Sequence, residues 1–305
     1  MCPFQTMPPR QPPGWRNFRM DASMDLISSP QALRDTCRAW SKAGLTIALV
    51  PTMGFLHDGH MSLIDEARRR GDKLVVSIFV NPTQFGPNED LDRYPRDLPR
   101  DLALAEAHGA DLVFAPEPGA MYAPDHATWV EVPELARGLC GASRPIHFRG
   151  VCTVVLKLLN LVRPDVAVFG QKDWQQLAIL RRMARDLDLD AQLMGMPIHR
   201  EPDGLAMSSR NVYLTPVERA KAPAIREGLL LVRAAVAAGE RDAETLGRMF
   251  GAHLAQALPG ARIDYASFVH PDSMEPVARM DAATLFAVAV FVGSVRLIDN
   301  ILLEV

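Results

Sequence analysis

The sequence is short of three things: cysteine pairs, long apolar runs and an excess of charge of one sign. Its four cysteines lie far apart without Cys-x-x-Cys spacing, which predicts reduced thiols in a cytoplasmic protein rather than a disulfide framework. No apolar run approaches the roughly 20 residues that cross a bilayer, so no membrane partner is expected. The net charge of −3 gives no general electrostatic reason to expect a nucleic-acid partner.

The rest of the composition is that of a globular protein, with 48% hydrophobic and 23% charged residues. A chain of 305 residues has room for one large or two medium domains. Residues 1–23 differ, because they are rich in proline and their arginines have no acidic partners nearby. They predict a disordered N-terminal extension, or sequence upstream of a true start at Met20 or Met24. Since this segment has no apolar core of a signal peptide, secretion is not expected.

Apolar runs alternate with helical patterns, which predicts an α/β fold with a parallel sheet covered on both faces. The predicted strands are Leu45–Val50, Leu74–Val80, Leu112–Phe114, Val166–Phe169 and Gln192–Met196. The predicted helices are Met61–Arg70, Arg100–His108, Val151–Val162 and Trp174–Asp186. Ligands bind at the carboxyl ends of the strands in such sheets, and the polar motifs follow Val50, Val80 and Phe169.

The pattern changes after about Met196. The helices predicted there run from Pro216 to about Ala238 and from Asp242 to about Gln256, and the strands are Ile263–Val269, Leu285–Val292 and Val295–Ile298. These strands predict a small antiparallel sheet. We therefore expect two domains, a parallel-sheet domain over 24–198 and a smaller α+β domain over 199–305.

The segment PTMGFLHDGH, residues 51–60, lies between the first long strand and a helical stripe headed by His60. Free N–H groups and the dipole at the start of that helix favour an anion such as phosphate. His57 and His60 could be a chance pair, capped histidines or metal ligands. Since no cysteine or carboxylate at ligand spacing completes a metal site, none is predicted. The Gly-x-x-His-x-Gly-His turn resembles the nucleotide-binding signature of the HIGH superfamily of nucleotidyltransferases.

Two further segments carry polar residues at strand ends. Asn81 and Gln84 flank a proline after the second strand, so their amides could bind a small polar ligand or belong to an ordinary Asn-Pro turn. In Gly-Gln-Lys-Asp-Trp-Gln-Gln, Asp173 and Gln176 have the spacing of a capping box. Lys172 is unfavourable for the dipole at a helix start, which a bound phosphate would explain.

A third segment, Met207–Arg210, combines backbone N–H groups, two serine hydroxyls and a guanidinium. This set suits a polyphosphate, although a loop at a domain junction has a similar composition. It resembles in kind the second phosphate-binding loop of class I adenylate-forming enzymes. His147 and Arg149 precede an apolar helix and are interpreted as structural.

Taken together, these motifs resemble the pantothenate synthetase (pantoate–β-alanine ligase) family. The matching segments are PTMGFLHDGH, SIFVNPTQF, EDLDRYPRDL, RPIHFRGV, FGQKDWQQL and DGLAMSSRN. The resemblance implies a Rossmann-like doubly wound parallel sheet with a C-terminal lid, usually assembled as a homodimer. It implies the ATP-dependent condensation of D-pantoate with β-alanine to pantothenate, AMP and diphosphate through a pantoyl adenylate, with ATP as co-substrate and Mg²⁺ as cofactor.

The resemblance also implies roles for individual residues. The ATP site would comprise Met53, Gly54, Phe55, Leu56, His57, Asp58, Gly59, His60, Gly170, Gln171, Lys172, Asp173, His199, Met207, Ser208, Ser209 and Arg210. The catalytic set would be His60 as the family's proton donor with His57, Lys172, Ser208, Ser209 and Arg210. Gln84 and Gln176 would hold pantoate, with Gln84 bordering β-alanine. Three positions depart from the family pattern: Gln171, often Glu; Trp174, often Phe or Tyr; and His199, usually apolar.

Other functions remain open at this point. Another HIGH-type adenylyltransferase would need a phosphorylated acceptor, and the Asn-Pro-Thr-Gln-Phe and Gly-Gln-Lys-Asp segments count against it. An aminoacyl-tRNA synthetase would need a larger basic surface than the net charge suggests. A catalytically silent binding module would bind ATP without turnover, and the full set of charged groups counts against it. Asp101 is only a weak candidate for a Mg²⁺ ligand.

Overall fold

The structure is a computed structural model, and it describes residues 24–87 and 89–304. The predicted extension over residues 1–23 lies outside the described residues. The N-terminal part contains β1 Asp25–Ile27, α1 Pro30–Lys42, β2 Ile47–Thr52, α2 Asp58–Arg70, β3 Lys73–Ile78, α3 Leu98–Ala107, β4 Leu112–Phe114, α4 Pro118–Met121, α5 Pro133–Ala136, α6 Cys140–Ser143, α7 His147–Val162, β5 Val166–Gly170, α8 Trp174–Asp186 and β6 Gln192–Met196. The C-terminal part contains α9 Pro216–Lys221, α10 Ala224–Ala237, α11 Ala243–Ala257, β7 Arg262–Val269, β8 Thr284–Val292 and β9 Val295–Leu303.

The six N-terminal strands form a parallel sheet in the order β1-β4-β3-β2-β5-β6. Strand β2 is buried on both faces, which is why it reads as an unbroken apolar run. Ile47 and Leu49 pack towards α1, α7 and α8, whereas Ala48 and Val50 pack towards α2 and α3. The predicted α/β fold with a doubly wound parallel sheet is confirmed.

Strand order reverses at β2, because the chain moves from β2 to β3 on one side and returns to β5 on the other. In open α/β sheets, the crevice at such a switch point is where ligands bind. Two of the predicted motifs begin at this crevice, one after Thr52 and the other at Gly170. The topology alone therefore brings the histidine turn and the Lys172 segment together.

The C-terminal part has a core of its own. Strands β7, β8 and β9 form an antiparallel sheet, and α10 and α11 cover it around Phe250 and Phe286. The smaller α+β unit is thus present. The expected helix from Pro216 to Ala238 is two helices, because Pro223 has no N–H for the helix ladder and separates α9 from α10.

Other differences from the sequence prediction are small. Strand β9 extends to Leu303, beyond the predicted end at Ile298, and the pair of β1 and α1 was not predicted. The three-residue β1 is too short for a periodic signal, and it pairs with β4 through Asp25–Ile27. Among the described residues, no helix has the length and apolar character needed to cross a membrane.

Candidate active site

A cavity of about 240 Å³ opens at the carboxyl ends of β2 and β5. Of the predicted site residues, the following line it: Met53, His57, Gly59, His60, Gln84, Gly170, Lys172, Asp173, Gln176, His199, Met207, Ser208, Ser209 and Arg210. The residues come from five separate segments of the chain: 53–60, 84, 170–176, 199 and 207–210. A further cavity of about 510 Å³ adjoins it between the two sheets and shares Lys172, Gln176 and Arg210 with it.

Five predicted ATP-site residues do not line this cavity: Gly54, Phe55, Leu56, Asp58 and Gln171. Leu56 has a fully buried side chain. The N–H groups of Phe55 and Leu56 are bonded to the Asp101 carboxylate, so the free N–H groups expected at this turn are partly occupied.

The two histidines of the turn lie side by side at the start of α2, with their ring planes inclined by 36°. His57 is the N-cap and His60 the third helical residue, and their ring centroids are 4.0 Å apart. The N–H of His57 donates to Nδ1 of His60 at 3.3 Å. Because that nitrogen accepts, the neutral His60 ring carries its proton on Nε2. His60 can therefore donate from Nε2 towards a ligand.

Both histidines are neutral at pH 7. Burial, followed by the charge of Lys172, lowers the pKa of His57 to about 4. Burial, followed by His57 and Lys172, also lowers the pKa of His60 well below its usual value. Among the described residues, no protein group hydrogen-bonds to the buried Nδ1 of His57, so this nitrogen can bond to a ligand.

Lys172 lies in a 3₁₀ turn between β5 and α8. Its side chain is 20% exposed, and its Nζ is 3.8 Å from the Asp173 carboxylate. The C-terminal sheet holds this turn, because Nδ2 of Asn300 donates to the main-chain oxygens of Gln171 and Lys172 at 2.9 Å. The C-terminal sheet thus holds the backbone of the turn that carries Lys172.

The capping box that the spacing of Asp173 and Gln176 allows is not formed. Asp173 is the N-cap of α8, but its side chain makes no capping hydrogen bond. Gln176 instead lines the cavity. The neighbouring Gln175 is the structural amide, since it is buried and bonds to the backbone of Leu135 and Cys140.

Gln84 is fixed by a buried network under the cavity. Its side-chain oxygen accepts from Nδ2 of Asn81 at 3.1 Å, and Nε2 points to the sulfur of Met53 at 3.1 Å. His147 donates from Nδ1 to the main-chain oxygen of Gln84 at 3.0 Å. Gly150 allows this packing, because a Cβ there would lie 2.4 Å from the Thr83 oxygen.

The phosphate-type loop Met207–Arg210 closes the other side. Gly59 donates its N–H to the sulfur of Met207 at 3.3 Å, which ties the loop to the start of α2. Ser209 donates to the main-chain oxygen of Phe55 at 3.4 Å. The guanidinium of Arg210 is held in two hydrogen bonds by Asp90, at 2.8 and 2.9 Å. A phosphate that reaches Arg210 must share it with this carboxylate.

The described residues contain no group of three or more His, Cys, Asp or Glu side chains arranged to hold a metal ion. Asp173 is a carboxylate that lines this cavity, 3.8 Å from Nζ of Lys172. Glu89 and Asp90 line the adjoining cavity, where they are paired to Arg144 and Arg210. Asp101 has both oxygens bonded to backbone N–H groups and does not line the cavity.

Comparison with known proteins shows the family of this chain. The family model described as pantoate-beta-alanine ligase matches residues 25–302 of the chain. The chain belongs to the pantoate-beta-alanine ligase family. As a member, it is an AMP-forming carbon–nitrogen ligase that condenses D-pantoate with β-alanine using ATP.

The relatives of this ligase are similar over nearly their whole length. A pantothenate synthetase of Nitratidesulfovibrio vulgaris (strain DSM 19637 / Miyazaki F) is 59% identical over 92% of this chain and 99% of the relative. The crystal structure of the Thermus thermophilus pantothenate synthetase has a TM-score of 0.85 at 45% identity, covering 91% and 99% of the two chains. A Francisella tularensis pantoate-beta-alanine ligase, complexed with beta-gamma ATP and beta-alanine, has a TM-score of 0.74 at 32% identity, covering 92% and 97%.

Three polar residues that the sequence analysis does not assign to the site, Asn81, Arg144 and His147, line the cavity. Asn81 was recognised at the strand end but not assigned to the site, and it lines the cavity. His147 was interpreted as structural and Arg144 was given no role, yet both line the cavity. Their contacts run to the main-chain oxygen of Gln84, 60 or more residues away, and nothing in the local pattern signals such a contact.

The lowered histidine pKa values give the ligase a defined pH dependence of stability. The pKa of His147 is about 4, by burial and then by Arg144, and that of His57 is also about 4. Below about 6.5, the unfolded state binds protons that the folded state does not. Stability should fall from pH 7 to about 5.5, by up to about 1.4 kcal/mol per pH unit for each histidine. Urea unfolding at several pH values measures this slope, and an unchanged slope in His147→Gln would contradict it.

Proposed function

We propose that the ligase reaction takes place in this cavity in two half-reactions, through a pantoyl adenylate. The observation that supports this most is the convergence of the neutral histidine pair, Lys172 and the Ser208–Arg210 loop around one cavity at the switch point of the sheet. Neutral N–H donors, an ammonium and hydroxyls together suit a triphosphate. Side-chain amides and apolar residues of α7 also line the same cavity.

In the first half-reaction, a pantoate carboxylate oxygen attacks the α-phosphorus of ATP, and the bond from that phosphorus to the β-phosphate bridge breaks. Diphosphate leaves with the bonding electrons. Negative charge grows on the phosphoryl oxygens, where Nε2–H of His60, His57, Lys172, Ser208, Ser209 and Arg210 would stabilise it. No protein nucleophile is required, because the chemistry depends on positioning and charge.

In the second half-reaction, the neutral amine of β-alanine attacks the acyl carbon of the mixed anhydride. The acyl–oxygen bond to AMP breaks, and the nitrogen loses a proton as the amide forms. Gln84 and Gln176 would hold the pantoyl group, and Gln84 would border the amine. The part of the chain over 199–305 would act as a lid that limits hydrolysis of the anhydride by water.

We further propose that Mg²⁺ arrives on the phosphates of ATP. The carboxylates support this, because Glu89 and Asp90 are paired to arginines and Asp173 lines the cavity as a single carboxylate, so the described residues offer no acidic cluster for the ion. Mg²⁺ in such sites is typically bound by phosphates, waters and few carboxylates. The remaining ATP-site roles, with His199 meeting adenine through its main chain, follow the family resemblance, as do a homodimer and a cytoplasmic location.

The test is an omission assay with ATP, Mg²⁺, D-pantoate and β-alanine. AMP formation should require both acids, and pantoate alone should support ATP–diphosphate exchange. Turnover without exchange would count against the adenylate. ATP–diphosphate exchange without pantoate would indicate another adenylyltransferase. Nucleotide binding without any turnover would indicate a catalytically silent binding module.

Gln176→Ala should raise the KM for pantoate, because a bound hydroxyl or carboxylate loses a partner. A loss of about 1–2 kcal/mol corresponds to roughly a 5- to 30-fold higher KM. The matched control is Gln175→Ala, which removes a buried structural amide and should lower the melting temperature instead. A Gln176→Ala enzyme with unchanged KM and a lower melting temperature would remove Gln176 from the pantoate site.

A further inference from the structure

Asp101, in the first turns of α3, is a nearly fully buried carboxylate that faces the histidine turn. It is 1% exposed. Its Oδ2 accepts from the N–H of Phe55 at 2.6 Å, and its Oδ1 accepts from the N–H of Leu56 at 2.7 Å. A buried carboxylate is costly unless its oxygens are bonded, so both partners of this contact depend on each other.

The turn that it holds is in a conformation that needs support. Gly54 and Phe55 both have positive φ values, +81° and +51°. A phenylalanine in this left-handed region is strained and persists only where its surroundings impose it. A Cβ at residue 54 would lie 3.0 Å from Oδ2 of Asp101, so glycine lets the carboxylate approach.

Arg100 also contacts this turn. Its Nη1 donates to the main-chain oxygen of Leu56 at 2.9 Å, and its guanidinium lies 5.5 Å from the centre of the Phe55 ring. Both peptide groups flanking Leu56 are therefore fixed by consecutive residues of α3. The next residue is His57, which caps α2 and bonds to His60.

We propose that Asp101 is a positioning residue for adenylation, which fixes the turn from which His57 and His60 reach the α-phosphate. Its two oxygens are bonded to the backbone and it does not line the cavity, so it acts through the turn and not as a metal ligand. This inference rests on the proposed roles of the two histidines.

The test is Asp101→Asn, which keeps the shape but places an amide N–H₂ against one of the two backbone N–H groups. The adenylation rate per active site, measured as pantoate-dependent exchange, should fall about 10- to 100-fold, the scale expected when reacting groups shift by about an ångström. The KM for pantoate should change little, because Gln84 and Gln176 lie elsewhere. A tenfold increase in Mg²⁺ should not restore the rate, whereas rescue by Mg²⁺ would overturn the proposal in favour of a metal ligand.

Asp97→Ala is the matched control, since Asp97 is an exposed carboxylate that caps the same helix. It should lower the melting temperature without lowering the rate per active site. Hydrogen exchange gives a readout that does not need activity: in Asp101→Asn, but not in Asp97→Ala, the peptide over residues 53–60 should exchange faster while the core strands do not. Uniformly faster exchange, or an unchanged adenylation rate, would leave Asp101 a merely structural residue.

If Asp101→Asn does not fold, the exposed Arg100 carries the test. Arg100→Ala removes the contacts of Arg100 with Leu56 and Phe55. It should lower the adenylation rate per active site several-fold and speed up hydrogen exchange over residues 53–60. An adenylation rate and a hydrogen-exchange rate over residues 53–60 that both equal those of the wild type would overturn the proposal. A wild-type enzyme without pantoate-dependent ATP–diphosphate exchange would instead refute the proposed function. The hydrogen-exchange result would still decide whether Asp101 fixes the turn.

Discussion

His60→Ala is expected to lower turnover by roughly 10²- to 10³-fold, the usual scale for losing one preorganised stabiliser of transition-state charge. The loss should appear in pantoate-dependent ATP–diphosphate exchange, because the imidazole is proposed to act at the α-phosphate. Binding of ATP should be less affected, since Lys172, Ser208 and Arg210 also line the cavity. Exchange reduced by less than about threefold would remove His60 from the catalytic set.

A second substitution separates two roles for this ring. Burial, followed by the neighbouring His57 and Lys172, lowers the pKa of His60 well below its usual value, so it is neutral at pH 7 and a donor through Nε2–H. Gln retains an N–H donor at a similar reach, so His60→Gln should lose less activity than His60→Ala. Equal losses would favour a role that needs an acid. His108→Ala, a histidine paired with Asp65 away from the cavity, is the control and should leave exchange unchanged.

The strand–turn–helix character of the site could be predicted because its signals are local. The unbroken apolar run of β2 and the stripe of α2 are visible in the sequence, and α8 was predicted with the bounds that it has in the structure. Pro223 also gave a local signal for the break between α9 and α10, which the apolar periodicity on both sides obscured.

The partners of the site residues could not be predicted, because they come from tertiary contacts. Asp101 lies 45 or more residues beyond the turn that it holds, and Asp90 is 120 residues before Arg210. Neither separation carries a periodic signal. These contacts decide which N–H groups are free and which guanidinium is already paired. The motifs were therefore enough to propose the ATP-site residues, whereas the fold determines which of their groups are available to a phosphate.

Lys172→Met should lower the adenylation rate by roughly 10²- to 10³-fold, because it removes the charge but keeps the length of the side chain. The same variant has a second signature in the protein without ligand. The charge of Lys172 is the second cause, after burial, of the low pKa of His57, so removing it should raise that pKa towards 6.5. Titration of the histidine rings by NMR measures this shift.

The adenylation rate and the His57 pKa together distinguish where the Lys172 ammonium lies from whether it contributes to catalysis. Lys73→Met is the matched control, because Lys73 pairs with Asp111 at the amino end of β3. The cavity lies at the carboxyl ends of the strands. It should change neither the exchange rate nor the pKa of His57. A Lys172→Met enzyme with full activity and a shifted His57 pKa would place the ammonium beside the histidines but exclude it from catalysis. Loss of activity with unchanged stability and a raised His57 pKa would support electrostatic coupling between Lys172 and the two histidines. In that case the lysine would keep the imidazoles neutral until ATP brings negative charge.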